Sequence, residues 1–258
     1  MLTKMNERLL NEIKSHYNDT FLSMMSSVSH EINTPLTVID GTLYFILTAY
    51  NDKLEDKVRD LLEMTKAGVN RLKNFVKDMN SAIAVEINQV KLQMETTDLI
   101  SITQDILKKL HPLIVNNKVK INTHFQDRLY CNADREKVGK VIEHLIINAI
   151  KFSGNNATVN IEIQQYSNNF IKFSIEDDGV GISKEDFPKL FTKFGKIDSH
   201  ETKKIPDIQG AGLGLFYSKN VIELHKGKIW AESEGPNKGA QFSFMLPLLK
   251  NNLMNQSK

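Results

Sequence analysis

Two long helices forming an all-α hairpin, followed by an α+β half, is the fold class the sequence predicts, on three observations. Apolar residues recur every three or four positions over two long stretches, Met5 to Tyr50 and Leu54 to Ile83, which is the period of amphipathic helices. From about residue 86 the pattern changes to alternation in short runs: Val119, Ile121, Thr123, Phe125; Val159, Ile161, Ile163; Ile171, Phe173, Ile175; Phe242, Phe244, Leu246. Alternation marks half-buried strands. Helical periodicity returns between these runs, at 98–115, 134–152 and 215–225, so the second half is a sheet with helices.

The first helix carries the stretch Ser29-His30-Glu31-Ile32-Asn33-Thr34-Pro35-Leu36. At about 100° per residue, His30 points away from its stripe neighbours Val28 and Ile32, and Thr34 shares its face. A histidine opposite the core with a carboxylate beside it is a candidate nucleophile, and a solvated surface histidine is the plain alternative. Pro35 removes a helix hydrogen bond, so either the helix bends there or two helices meet. Asn51-Asp52 supplies a turn, and the second stripe follows at once, as in an antiparallel hairpin. One hairpin leaves much of its stripe in water. Two would close a four-helix bundle, so homodimerisation is expected. The reading places the hairpin at 1–85, a linker with a first strand at 86–97, the second domain at 98–250 and a disordered polar tail at 251–258.

Composition narrows the function. With 258 residues and a net charge of +2, the chain has room for two domains but no footprint for nucleic acid or an anionic membrane. One cysteine, Cys131, cannot close an internal disulfide, which fits a reducing, cytoplasmic setting. No run approaches the roughly 20 apolar residues of a membrane span, and the chain can be the soluble core of a longer sensor.

Four clusters in the second half carry candidate chemistry. Asn148-Ala149-Ile150-Lys151-Phe152 ends a helix; a carboxamide can ligate Mg²⁺ and a lysine one turn on can meet a phosphate, although both are also common helix caps. Asp177-Asp178-Gly179-Val180-Gly181-Ile182 follows a strand, and its glycines admit a flat ligand close to the backbone. A buried aspartate there can accept from an exocyclic amine; a plain Asp-Gly turn is the alternative. Phe187, Phe191 and Phe194 read as a local core. Gly210-Ala211-Gly212-Leu213-Gly214-Leu215 opens a helix, where backbone N–H groups face phosphates. It follows no parallel βαβ strand, which disfavours a dinucleotide fold.

In this order the stretches resemble the catalytic core of sensor histidine kinases: a phosphoacceptor box at 30–36, an N-box ending at Asn148, a glycine box at 177–181, an F-box at 187–194 and a second glycine box at 210–214. The segment from His225 to Phe242 is similar to that family's last strands. The resemblance spans roughly 15–248 and implies a dimerisation and histidine-phosphotransfer hairpin, then a two-layer ATP-binding sandwich of the gyrase/Hsp90-like class. It implies that His30 attacks the γ-phosphate of Mg·ATP with Glu31 as base. Asn148 then holds Mg²⁺, Lys151 meets the phosphates, Phe152 lies beside the nucleotide, and Asp177 binds adenine N6 with Gly179, Gly181 and Ile182. The loop 195–210 becomes a lid, Lys196 reaches the phosphates, and Gly210, Gly212 and Gly214 close the hinge beside Leu213 and Leu215. A response-regulator receiver domain is the implied partner. Thr34 is expected to hold a water in line with a phosphoaspartate, giving phosphatase activity.

Three positions depart from the family pattern. His144 stands where the N-box usually has a first Asn, which removes one carboxamide from the Mg²⁺ and phosphate site. Asn33 replaces a frequent arginine, and His225-Lys226-Gly227 replaces His-Gly-Gly. His144 keeps open an alternative, a catalytically weak nucleotide-binding dimeric scaffold. An ATPase of the Hsp90 or mismatch-repair kind is a third reading, one that leaves the His30 hairpin without a role.

Overall fold

The computed structural model describes the backbone of residues 2–86, 91–126, 129–195 and 212–249, with side chains from Thr20 onward except Phe21, Leu22 and Glu86. The tail expected at 251–258 lies outside the described residues. The chain separates into two compact units, residues 1–90 and 91–258.

In the first unit, α1 (Leu2–Ala49) runs unbroken through Pro35. The proline leaves the Glu31 carbonyl without its i+4 donor, yet one helix continues; two helices do not meet there. A short 3₁₀ turn, Asn51–Lys53, leads to α2 (Asp56–Glu86). Arg59 holds this turn, donating from Nη2 to the carbonyls of Asn51 at 2.8 Å and Leu54 at 3.3 Å. Ser29 Oγ lies 2.7 Å from Asn80 Oδ1, and Lys73 Nζ lies 2.6 Å from Asp40 Oδ2. Leu36, Leu43 and Val69 form a small core against Leu62. Partner numbers fall along α2 as they rise along α1, so the helices are antiparallel. Val28, Ile32 and Ile39 on α1 and Leu61, Met64, Leu72 and Phe75 on α2 remain exposed.

The second unit runs β1 (Glu95–Asp98), α3 (Leu99–Asn116), β2 (Lys120–Phe125), β3 (Tyr130–Ala133), α4 (Arg135–Ser153), β4 (Thr158–Ser167), β5 (Phe170–Asp177), α5 (Gly214–Leu224), β6 (Lys228–Glu232) and β7 (Ala240–Pro247). The five-stranded sheet has the order β2-β4-β5-β7-β6, and β1 pairs separately with β3. Only β2 and β4 are parallel, with Ile121 opposite Val159; the other pairs are antiparallel. The inner face buries Ile161, Ile163, Ile171, Phe173, Ile175, Phe244 and Leu246 under Val138, Val141, Ile142 and Leu145 of α4 and Val221 and Ile222 of α5. Phe173 and Phe244 are register partners and stack at 4.9 Å between centroids. Odd positions of β4 and β5 face inward, and Glu162, Lys172 and Glu176 point the other way, which gives two layers. Among the described residues no helix is long and apolar enough to cross a membrane.

The helix starts follow local chemistry. Asp98 Oδ1 accepts from Ile100 N at 2.9 Å to cap α3, and Asp134 Oδ1 accepts from Lys137 N at 3.0 Å to cap α4, each satisfying an otherwise orphaned donor. Strand β3 has no forerunner in the sequence pattern, because four residues are too few to show alternation. Its Cys131 is fully buried, and burial with the nearby Asp98 charge pushes the thiol up to about 12, which keeps it protonated and unreactive.

Candidate functional site

On α1, the buried Ser29, Leu36 and Leu43 fix the helix rotation, and His30, Glu31 and Thr34 are left exposed. Thr34 Oγ1 donates to the His30 carbonyl at 2.9 Å. That bond spends the hydroxyl hydrogen and leaves the oxygen lone pairs outward as acceptors. The imidazole is therefore reachable from solvent, with a carboxylate next to it in sequence and a hydroxyl oxygen one turn on.

In the second unit the end of α4, the end of β5 and the start of α5 form a cradle. His144, Asn148, Lys151 and Phe152 are half-buried, and the first three lie one helical turn apart along one face of α4. The Phe152 carbonyl accepts from Val180 N at 3.2 Å, which fastens the glycine turn to the helix end. A Cβ on Gly179 would lie 2.5 Å from that same carbonyl oxygen, so only glycine fits. Gly181 has φ +68, and a Cβ there would collide with the Gly235 carbonyl. The turn is further held by Asn237 N to Val180 O at 2.7 Å, Gly239 N to Gly179 O at 3.1 Å and Ile182 N to Ser233 Oγ at 3.0 Å. Lys151 Nζ stands 4.8 Å from the Phe152 ring centroid.

Asp177 ends β5 inside this cradle, 6% exposed, with Oδ1 accepting from Gly179 N at 3.0 Å. Burial drives its carboxyl up; bonds from the Gly179 and Ala240 amides oppose the rise, and the charges of Asp178 and Glu176 add to it, leaving it at about 7. A carboxyl poised there gains from a ligand N–H donor, which favours the ionised form.

Gly212, just before α5, and Gly214, its first residue, supply the opposite wall. Gly212 has φ +74, and its would-be Cβ meets the Phe194 carbonyl carbon at 2.8 Å. Leu213 is buried, Gly214 and Leu215 are half-buried, and a Cβ on Gly214 would lie 3.2 Å from His144 Cγ. The ring of His144 thus packs on the α5 N-terminus, edge-on to Tyr217 at 5.5 Å. Sequence reasoning singled out His144 only as a departure. Its place against Gly214 is a long-range contact, and so is that of Tyr217, which carried no signal beyond its period. Of the three phenylalanines, Phe187 and Phe191 are half-buried and Phe194 is 57% exposed, while Leu190 takes the buried place. Lys196, Gly210 and most of the 195–210 loop lie outside the described residues.

The donor set suits a phosphate-borne Mg²⁺ better than a protein cage. Asn148 offers one carboxamide oxygen, and no cluster of three His, Cys, Asp or Glu able to hold a metal is found among the described residues. Mg²⁺ commonly takes one or two protein oxygens and completes its shell with phosphates and water.

Comparison with known proteins agrees with both halves. The family model of the "His Kinase A (phospho-acceptor) domain" matches residues 22–82, and that of the "Histidine kinase-, DNA gyrase B-, and HSP90-like ATPase" matches 133–250. Together they span more than half of the chain. The sensor histidine kinase WalK of Bacillus subtilis is 29% identical over 228 residues, 86% of this chain and 36% of that protein. The chain therefore spans about a third of the length of this relative. Full-length ShkA in complex with AMPPNP superposes with a TM-score of 0.72 at 20% identity, over 88% of this chain and 46% of that one. The histidine kinase ThkA, in complex with the response regulator protein TrrA, gives 0.60 at 22% identity over 88% and 61%. These two likenesses concern the fold. By its two matched domains, in this order, the chain belongs to the histidine kinase family.

Proposed function

We propose that the chain is an ATP-dependent protein histidine kinase core that phosphorylates its own His30 and passes the phosphoryl group to an aspartate of a response-regulator receiver domain. The observation that carries the reading is the pairing, in one chain, of an outward-facing His30 beside Glu31 with a glycine-lined cradle ending in the buried Asp177. In the cradle, Asp177 accepts from the adenine amine while Gly179 and Gly181 let the base approach the backbone. Lys151 meets the phosphates, and Asn148 directs its carboxamide oxygen to the accompanying Mg²⁺. When bound, the cation neutralises the charge that develops on the β- and γ-phosphate oxygens.

An imidazole nitrogen of His30 attacks the γ-phosphorus. The N–P bond forms as the bond to the β-phosphate oxygen breaks, ADP leaves, and Glu31 takes the imidazole proton. In transfer to the regulator, its aspartate oxygen forms an O–P bond as the N–P bond breaks, and the proton held by Glu31 returns to the ring, leaving the histidine neutral. The Thr34 oxygen, its hydrogen engaged by the His30 carbonyl, accepts from a water and aims it at a phosphoaspartate, giving the reverse activity. ThkA, a structural relative, is known in complex with a response regulator protein, which supports a partner of that class here. The dimer is built through the exposed stripes of the hairpin.

A scaffold with weak catalysis is the second reading, favoured by His144 in place of a carboxamide against Gly214. Incubation with γ-labelled Mg·ATP separates the two. An acid-labile, base-stable label that is lost in His30→Gln is the expected result. Nucleotide binding without label identifies the scaffold.

A further inference from the structure

His225 is a buried imidazole outside the proposed chemistry. It is 2% exposed and caps the C-terminus of α5. Its Nδ1 lies 2.7 Å from the Val221 carbonyl oxygen one turn back, a partner that can only accept, so Nδ1 carries the hydrogen. Nε2 is then a bare acceptor, and it takes the backbone N–H of Asp134 at 2.9 Å. Asp134 is a junction in its own right. Its carboxylate caps α4 through Lys137 N, pairs with Lys137 Nζ at 2.9 Å and accepts from Gln93 N, in the segment before β1, at 2.9 Å. One bond thus ties the end of α5 to the start of α4 and to the chain entering the unit. Helix α4 carries Asn148 and Lys151, and α5 opens at Gly214 against His144, so the two helices set the width of the cradle.

We propose that His225 is a positioning residue for the nucleotide site: its neutral ring latches α5 to α4, and taking up a proton unlatches them and weakens nucleotide binding. The inference rests on the nucleotide-binding reading above. A proton on Nε2 sets a donor against the Asp134 N–H, and a buried amide that loses its acceptor is costly. The charged groups that bear on the ring are on α4: the Asp134 carboxylate favours the proton and Lys137 opposes it. The segment before β1 brings the Gln93 N–H to the junction. Burial is the largest influence and holds the ring below its ordinary value, despite the Val221 carbonyl and Asp134. With the folded value lowered, the latch is intact above about 6.5, the ordinary histidine value, and is lost as pH falls towards the folded one.

The test measures AMPPNP affinity by calorimetry, with Mg²⁺, on the whole chain between about pH 8 and about pH 5.5. It compares wild type, His225→Gln and His225→Asn. Glutamine can place a non-titrating acceptor where Nε2 stands; asparagine reaches only as far as Nδ1. Wild type is expected to lose about fivefold more affinity than His225→Gln across this range, and His225→Asn to bind about fivefold more weakly at every pH, the weight of one hydrogen bond. Titration of Asp177 and of the phosphates is common to all three chains and cancels. Parallel curves for wild type and His225→Gln overturn the proposal. Should a variant fail to fold, ¹⁵N spectra of the wild-type ring decide: a neutral Nδ1–H form at about pH 7 is expected, and a charged ring or the other tautomer overturns the latch. Absence of AMPPNP binding to wild type at the highest pH sinks the nucleotide reading instead. In that event hydrogen exchange at the Asp134 amide judges the latch, with protection lost on acidification in wild type alone as the supporting outcome and equal protection in wild type and His225→Gln as the overturning one.

Discussion

The two units solve the burial problem differently. In the second, a sheet sealed by α4 and α5 leaves Phe173, Phe244, Ile161 and Ile175 at 0–1% exposure. In the hairpin the shared core is Leu36, Leu43 and Val69 with Leu62 against it, while Leu61 is 62% and Leu72 52% exposed. An antiparallel pair of helices offers each helix one neighbour, so only one stripe of each is covered. A sheet with helices on it closes its own core. The sandwich is therefore expected to be stable alone, and the hairpin's stability to depend on chain concentration.

The strongest break of this contrast is Phe173→Ala. It removes a fully buried ring that stacks on Phe244, at a cost of about 3–5 kcal/mol. Nucleotide binding should be lost as the second unit unfolds, while the helical signal of the hairpin persists in circular dichroism. Loss of both signals in a single transition would show that the units are not independent. Next in size is Leu61→Glu with Leu72→Glu, which places charge on the uncovered stripe. Each leucine buried on association contributes about 1.5–3 kcal/mol, so sedimentation should shift from dimer to monomer with AMPPNP affinity unchanged. A dimer that survives the double substitution would place the interface elsewhere.

Asp177 sharpens the comparison through pH. Its folded value of about 7 stands above the ordinary carboxyl value, so the folded state holds a proton that the unfolded chain releases. Stability of the second unit therefore falls as pH rises from about 4 towards about 7. Asp177→Asn should flatten that slope in denaturant titrations. It should also remove the rise in adenine-nucleotide affinity expected as the carboxyl ionises near about 7. The smallest effect belongs to Thr34→Ala on the exposed face of α1. Its stability should move within about 0.5 kcal/mol. Dephosphorylation of the partner should drop about tenfold with autophosphorylation nearly unchanged, a difference of about 1.4 kcal/mol in one barrier only. Equal loss of both activities would remove Thr34 from that role.

Much was legible in the residues themselves because it is local. Helical and strand periods, the glycines after β5 and the outward face of His30 depend on neighbours within a turn or two. The four-residue β3 was not, since it is too short to display a period. The order of the boxes exposed the family because a series of separate stretches constrains the chain more than any one stretch does.

The rest was decided by contacts between distant positions, which leave no periodic trace in a single sequence. The parallel pairing of β2 with β4, with Ile121 opposite Val159, is one such decision. Gly179 could be read as a turn residue, but only the fold brings the Phe152 carbonyl where a Cβ would go. Asp177 could be read as an acceptor, but its raised carboxyl comes from burial that the assembled sandwich creates. In the sequence His225 keeps the family's histidine, with Lys226 as the departure beside it, and nothing there gives its ring a role. Its bond to Asp134, 91 positions earlier, exists only because α5 packs on α4. Sequence determined which groups were present and how they were spaced along each element, and tertiary packing determined which of them met.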